Sequence, residues 1–176
     1  MNKPGLVHIY AGNGKGKTSA ATGLCVRAAG RGLRVLFAQL LKGKPTGELA
    51  SLERLGVTTV RCDGGTTRFV FTMNDEERAA YSDRLYAEFE AVSRQALSGD
   101  FDVVVLDEVL DAIGMQVLPE AAVLALIDGR PAGTELVLTG RGPSEALISR
   151  AGYYTVFQCE KHPYEQGVQA REGIEF

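Results

Sequence analysis

Residues 11–18 read AGNGKGKT, with three glycines, two lysines and a threonine directly behind an apolar run. Glycines let a backbone curl until successive amides face one anion, and a helix starting just after adds its positive end. Gly12, Gly14 and Gly16 are the bends, with Asn13 and Lys15 between them. Lys17 is the cation that reaches phosphate oxygens, Thr18 the hydroxyl that ligates Mg²⁺, and Ser19 follows in the helix start. The stretch fits the broad Walker A pattern, with Ala11 in place of the usual first glycine. Lys15 is a second cation inside the loop. Residues 103–108, VVVLDE, fit a Walker B strand, four apolar residues ending in carboxylates. Asp107 or Glu108 holds the metal there, directly or through water. Together the two motifs describe a protein that binds a magnesium nucleotide. Three uses stay open: hydrolysis, phosphoryl transfer, or a grip on the ATP tail while chemistry occurs at the other end. A hydrolase needs a polarised water and often an arginine finger, and the sequence announces neither.

The elements that must position these loops alternate along the chain. Strands are expected at 6–11, 34–41, 57–62, 101–108, 134–140 and 153–159. Helices are expected after the glycine loop to about Gly32, then at 46–56 with Thr46 as cap, 75–99, 119–130 and 144–152. The third strand is polar enough for an edge. Continuous Val/Ile/Leu runs between helices predict a mostly parallel sheet of about six strands with helices on both faces, an α/β fold of the P-loop NTPase-like, RecA-like kind. Ligands of such sheets bind beyond the carboxyl ends of the strands. The glycine loop, LLKGKPTGE, LDE, LTGRG and the KH tail all fall there.

The 176 residues are expected to form a single domain, 1–176. A net charge of −3 offers no global field to recruit nucleic acid or an anionic membrane. Cys25, Cys62 and Cys159 have no close spacing and read as reduced thiols of a cytoplasmic protein. The N-terminus lacks an apolar leader segment, and no run is long enough to span a membrane. His8, mid-strand, reads as structural, and two histidines with no companion cluster make no metal site.

Three further stretches carry a resemblance: QLLKG at 39–43, TGRG at 139–142, and the closing KHPYEQGVQAREGIEF. With GNGKGKTSAA and LDE, in this order and over the whole length, the chain resembles the P-loop ATP:corrinoid adenosyltransferases. The resemblance implies that reduced corrinoid cobalt, Co(I), attacks the 5′ carbon of ATP and triphosphate leaves whole. It implies that Gly12, Asn13, Gly14, Lys15, Gly16, Lys17, Thr18 and Ser19 hold the triphosphate. Thr18 and Glu108 would hold Mg²⁺, and Lys17 and Glu108 would be catalytic. Arg27, Arg141 and His162 would approach the nucleotide. Phe69 and Phe71, in RFVFTMN, would pack on the corrinoid (cobalamin, cobinamide or cobyrinic acid diamide). The implied partners are a flavoprotein reductant, a corrinoid-using enzyme and a second copy of the chain. The chain departs from the family pattern twice. It has no tryptophan, so Phe71 stands at the usual tryptophan place, and two usual acids before the tail are Gly152 and Val156. An ATPase or phosphotransferase, or a nucleotide-binding module without transferase activity, is the alternative.

Overall fold

Side-chain alternation along the strands decides the layers. The computed structural model describes residues 4–43 and 45–174. Its strands are β1 (Val7–Ala11), β2 (Val35–Leu40), β3 (Thr58–Cys62), β4 (Val103–Asp107), β5 (Glu135–Gly140) and β6 (Tyr153–Val156). They form one sheet in the order β3-β2-β4-β5-β1-β6, and every pairing is parallel. Successive residues of a strand face opposite sides. Ile9, Leu36, Ala38, Val104, Leu106, Leu136 and Leu138 therefore enter one core layer, while Val35, Phe37, Val103, Val105 and Val137 enter the other. Both layers need a helical cover.

On the second layer lie α1 (Lys17–Ala29), through Ala21, Cys25 and Ala28, and α2 (Gly47–Arg54), through Leu49 and Leu52. On the first lie α3 (Asp75–Leu97), α4 (Val109–Gly114), α5 (Glu120–Gly129) and α6 (Glu145–Ile148). The long helix starts in a capping box: Asn74 accepts from the Glu77 amide, and Glu77 accepts from the Asn74 amide. The expected fold class is the observed one, and β3 lies at an edge as its polarity suggested.

Three local expectations change. Thr46 occupies the cap position of α2, but its hydroxyl donates instead to Gln39 Oε1 at 3.0 Å. Helix α4 was not expected. It is six residues long and buried through Val109, Leu110 and Ala112, too short and too apolar to show a helical period. The last strand stops at Val156, because Phe157 leaves the sheet to cross the glycine loop. Gly152 donates to the Val7 carbonyl at the amino end of the sheet, opposite the motifs, while Val156 pairs with Ala11 at the carboxyl end beside the glycine loop.

Candidate active site

The glycine loop is shaped as much by the tail as by any anion. The Gly14 amide donates to the Phe157 carbonyl at 2.8 Å, and the Cys159 amide donates to Asn13 Oδ1 at 3.2 Å. A Cβ on Gly12 would come within 2.3 Å of the Phe157 carbonyl oxygen, and one on Gly14 within 2.6 Å of that of Gln158. Gly12 also has φ 120°, a conformation other residues avoid. Residues 157–159 thus lie as a strap across the outside of the loop. On its inside, Lys17 Nζ donates to the Gly12 and Gly14 carbonyls at 2.7 and 2.9 Å. Burial pushes the Lys17 pKa down, and Arg141 pushes the same way against Asp111, Glu108 and Asp107. Lys17 is a cation that a bound anion would relieve.

The carboxylates face it from β4. Asp107 continues the Val103–Val105 face and is fully buried, so every oxygen needs a partner. Oδ1 accepts from Thr18 at 2.9 Å and from Thr139 at 2.7 Å, and Oδ2 accepts from Lys42 at 3.2 Å. Thr139 reaches it because β5 lies between the strands that carry the two motifs. The chain then turns straight into α4 through Glu108, at φ 62°, whose amide donates to Thr139 Oγ1. Burial pushes the Glu108 carboxyl up to about 7; Lys42 opposes this, and Asp107 and Asp111 add to it. Asp111, one turn on, is raised by burial while Arg141 and Lys17 hold it back. Its Oδ1 lies 3.8 Å from Arg141.

Thr18, Asp107 and Glu108 offer only hard oxygen donors, the chemistry Mg²⁺ prefers. Among the described residues no three histidines, cysteines, aspartates or glutamates form a metal cage. A cation held here must draw further oxygens from its ligand, as magnesium does from phosphates.

A cleft of about 870 Å³ opens above these groups. Asn13, Gly14, Lys15, Gly16, Lys17, Thr18, Ser19, Glu108, Arg141 and His162 all line it. Gly12 and Asp107 lie beneath the lining, and Arg27 is exposed on the last turn of α1, off the cleft wall. Phe69 and Phe71 stand apart on the loop after β3. Their rings stack with centroids 5.2 Å apart and are 63% and 77% exposed. That loop leans on the loop after β2, where a Cβ on Gly43 would come within 2.4 Å of the Thr66 carbonyl oxygen.

Sequence reasoning assigned no role to Lys42, Glu48 or Asp111, which also line the cleft. Lys42 lies in QLLKG, and its signal is its place just beyond a strand end. Asp111 gave none, because it reaches the cleft only through α4. Cys25, Cys62 and Cys159 are free. No helix among the described residues is long and apolar enough to cross a membrane.

The family model of ATP:corrinoid adenosyltransferase BtuR/CobO/CobP matches residues 3–176. The chain is 32% identical to the corrinoid adenosyltransferase CobA of Salmonella typhimurium over 173 residues, covering 98% of this chain and 86% of that protein. It is 34% identical to the corrinoid adenosyltransferase of Pseudomonas aeruginosa, over 98% of this chain and 84% of that one. To the Escherichia coli K12 corrinoid adenosyltransferase it is 31% identical, over 100% and 88%.

Proposed function

The chain belongs to the ATP:corrinoid adenosyltransferase family, and on that premise we propose that it moves the 5′-deoxyadenosyl group of ATP onto the Co(I) of a reduced corrinoid. The electron pair of Co(I) forms the bond to the 5′ carbon. The carbon–oxygen bond breaks, and its electrons leave with the triphosphate. The observation that carries this reading is the pairing of a buried cation-and-carboxylate cleft with an exposed aromatic pair on the adjoining loop.

The residues divide the work. Lys17 exchanges the Gly12 and Gly14 carbonyls for phosphate oxygens. Lys15, also on the cleft wall, adds positive charge along the triphosphate. Arg141, from the end of β5, and His162, from the tail, face the nucleotide from two sides, and Val26 and Ile174 give the nucleoside apolar surface. Held at Thr18, Asp107 and Glu108, Mg²⁺ would supply positive charge against that of the leaving triphosphate. Fixing the 5′ carbon in line with the acceptor is the remaining task, and orientation of this kind contributes strongly to rate. Phe69 and Phe71 present an apolar face to the flat corrinoid and keep water from the cobalt. An external reductant, a flavoprotein in this reading, supplies the electron that makes Co(I).

Incubation with MgATP and chemically reduced cobinamide or cobalamin tests this directly. The light-sensitive adenosyl product and one triphosphate per product are expected. Steady ADP formation with no adenosylated corrinoid would overturn the reading.

A further inference from the structure

The cleft already holds a cation where its carboxylates converge. Lys42 Nζ lies 3.2 Å from Asp107 Oδ2, 3.5 Å from Glu48 Oε1 and 3.6 Å from Glu108 Oε1. The three carboxylates come from different elements: the end of β4, the turn into α4, and the first turn of α2. They share this one ammonium.

The rest of the residue is a fixed stalk. The Lys42 amide donates to the Leu40 carbonyl at 2.8 Å, and its own carbonyl accepts from Arg61 at 2.5 Å. Leu41 before it takes φ 64°, a left-handed turn that aims the next residue back over the strand ends. The backbone is held, while the four-carbon side chain, still 23% exposed, retains a way out into the cleft that it lines.

We propose that Lys42 is a built-in stand-in for the divalent cation: its ammonium holds the Asp107–Glu108 seat in the empty enzyme and leaves it when a metal–nucleotide complex enters. This rests on the reading of the cleft as a metal–ATP site. The chemistry follows from charge. Two acidic side chains side by side in a half-buried site would attract a free divalent ion, and the ammonium satisfies them first. A free ion must displace a tethered cation that is always present. A metal carried by a polyphosphate brings its own oxygens and gives the displaced ammonium an anion to contact. Lys42 thereby makes the site selective for metal that arrives with nucleotide.

Mn²⁺ binding followed by electron paramagnetic resonance, without corrinoid, tests the proposal. The wild type should bind free Mn²⁺ weakly and gain affinity sharply once ATP is added. Lys42→Met should bind free Mn²⁺ at least about tenfold more tightly than the wild type. Lys42→Arg, which keeps the charge, should stay weak. Lys42→Gln serves as the second neutral variant if the Met variant lacks the wild-type circular dichroism spectrum. A folded neutral variant whose free Mn²⁺ affinity matches that of the wild type would overturn the stand-in role. A wild type that fails to gain Mn²⁺ affinity with ATP would instead overturn the metal–ATP reading of the cleft, so the two failures are distinct.

Discussion

At the amino end of the sheet, Arg34 and Asp102 complete each other. Their guanidinium and carboxylate meet at 3.0 and 3.2 Å, the Arg34 amide also donates to the Asp102 carboxylate, and the Asp102 amide donates to the Arg34 carbonyl. The hydrogen bond from Arg34 holds the Asp102 carboxyl below its ordinary range, and the same bond raises Arg34. Each group favours the charged form of the other. At the carboxyl end, burial pushes Lys17 down, Asp111 up, and Glu108 up to about 7. There burial disfavours these three charges, and Lys42, held charged against burial by Asp107, Glu108 and Glu48, answers the carboxylates in part. One end is finished by folding, and at the other Lys42 only stands in for what a ligand would bring. Lys17, Glu108 and Asp111 still keep strained charges that a metal–polyphosphate would relieve, the stability cost that binding sites commonly carry.

The sharpest way to break this contrast is Lys17→Ala. If the carboxyl end is arranged around a leaving triphosphate, removing this cation should lower single-turnover transfer about 10²–10³-fold. The midpoint of urea unfolding should hardly move, because Lys17 binds only loop carbonyls in the empty protein. A variant that turns over normally would remove the cradle from the mechanism.

Gly14→Ala probes the strap across the loop. The new methyl would meet the Gln158 carbonyl oxygen and the backbone of Phe157 at 2.6–2.8 Å, so the strap must lift. A stability loss of about 1–3 kcal/mol is expected, along with weaker ATP binding by calorimetry and faster proteolysis after Val156. Unchanged proteolysis would show that the tail does not depend on the loop.

These sites differ in how far they could be read from sequence. The glycine loop was legible because wrapping an anion with amides demands fixed spacing within one short segment. Even so, the spacing hid half of its meaning, since Gly12 and Gly14 also yield to the backbone of residues 157–158, over a hundred positions away. Asp107 was legible as the end of an apolar strand. Lys42 joins it only because β2 pairs with β4, and no local pattern encodes strand order. Asp111 was hidden by a helix with no visible period. The tail was informative through resemblance alone, because its exposed residues show no apolar rhythm.

Phe71→Ala extends the contrast to the aromatic loop. Phe71 is 77% exposed, so folding gains little from it, and stability should stay within about 0.5 kcal/mol of wild type. Activity from Co(II) corrinoid with a reductant should fall about tenfold, the scale of one lost aromatic contact. ATP affinity should not change. If the variant matches wild type with both Co(II) and prereduced substrate, the loop has no part in holding the acceptor.

Glu108→Gln tests the claim that the empty site costs stability. The folded pKa of about 7 lies above the ordinary carboxyl value of 4.5, so the folded state keeps its proton longer than the unfolded chain does. Stability should therefore fall as pH rises from the unfolded value to the folded one, and remain lower above it. The side chain is 31% exposed, which limits the effect to about 1–2 kcal/mol. Urea melts at pH 5 and pH 8 should show the wild type losing this much and the Gln variant losing less. Equal slopes would mean that Glu108 is not strained by its setting.

Asp102→Ala should give the smallest effect and the opposite sign of pH dependence. Its folded pKa lies below the unfolded one, so its contribution is present above the unfolded value and disappears as pH falls through the folded value. The Arg34 side chain is 56% exposed and that of Asp102 36%, and surface pairs of this kind contribute little. A drop in Tm of about 2 °C or less is expected at pH 7, shrinking as pH falls through the folded value, with transfer activity untouched. The value of the measurement lies in the sign. If removing a charge at the amino end destabilises while removing one at the carboxyl end stabilises, the two ends divide structure from ligand binding. If both variants lose stability, Glu108 is one more structural contact, and the cleft is not held ready for a charge it lacks.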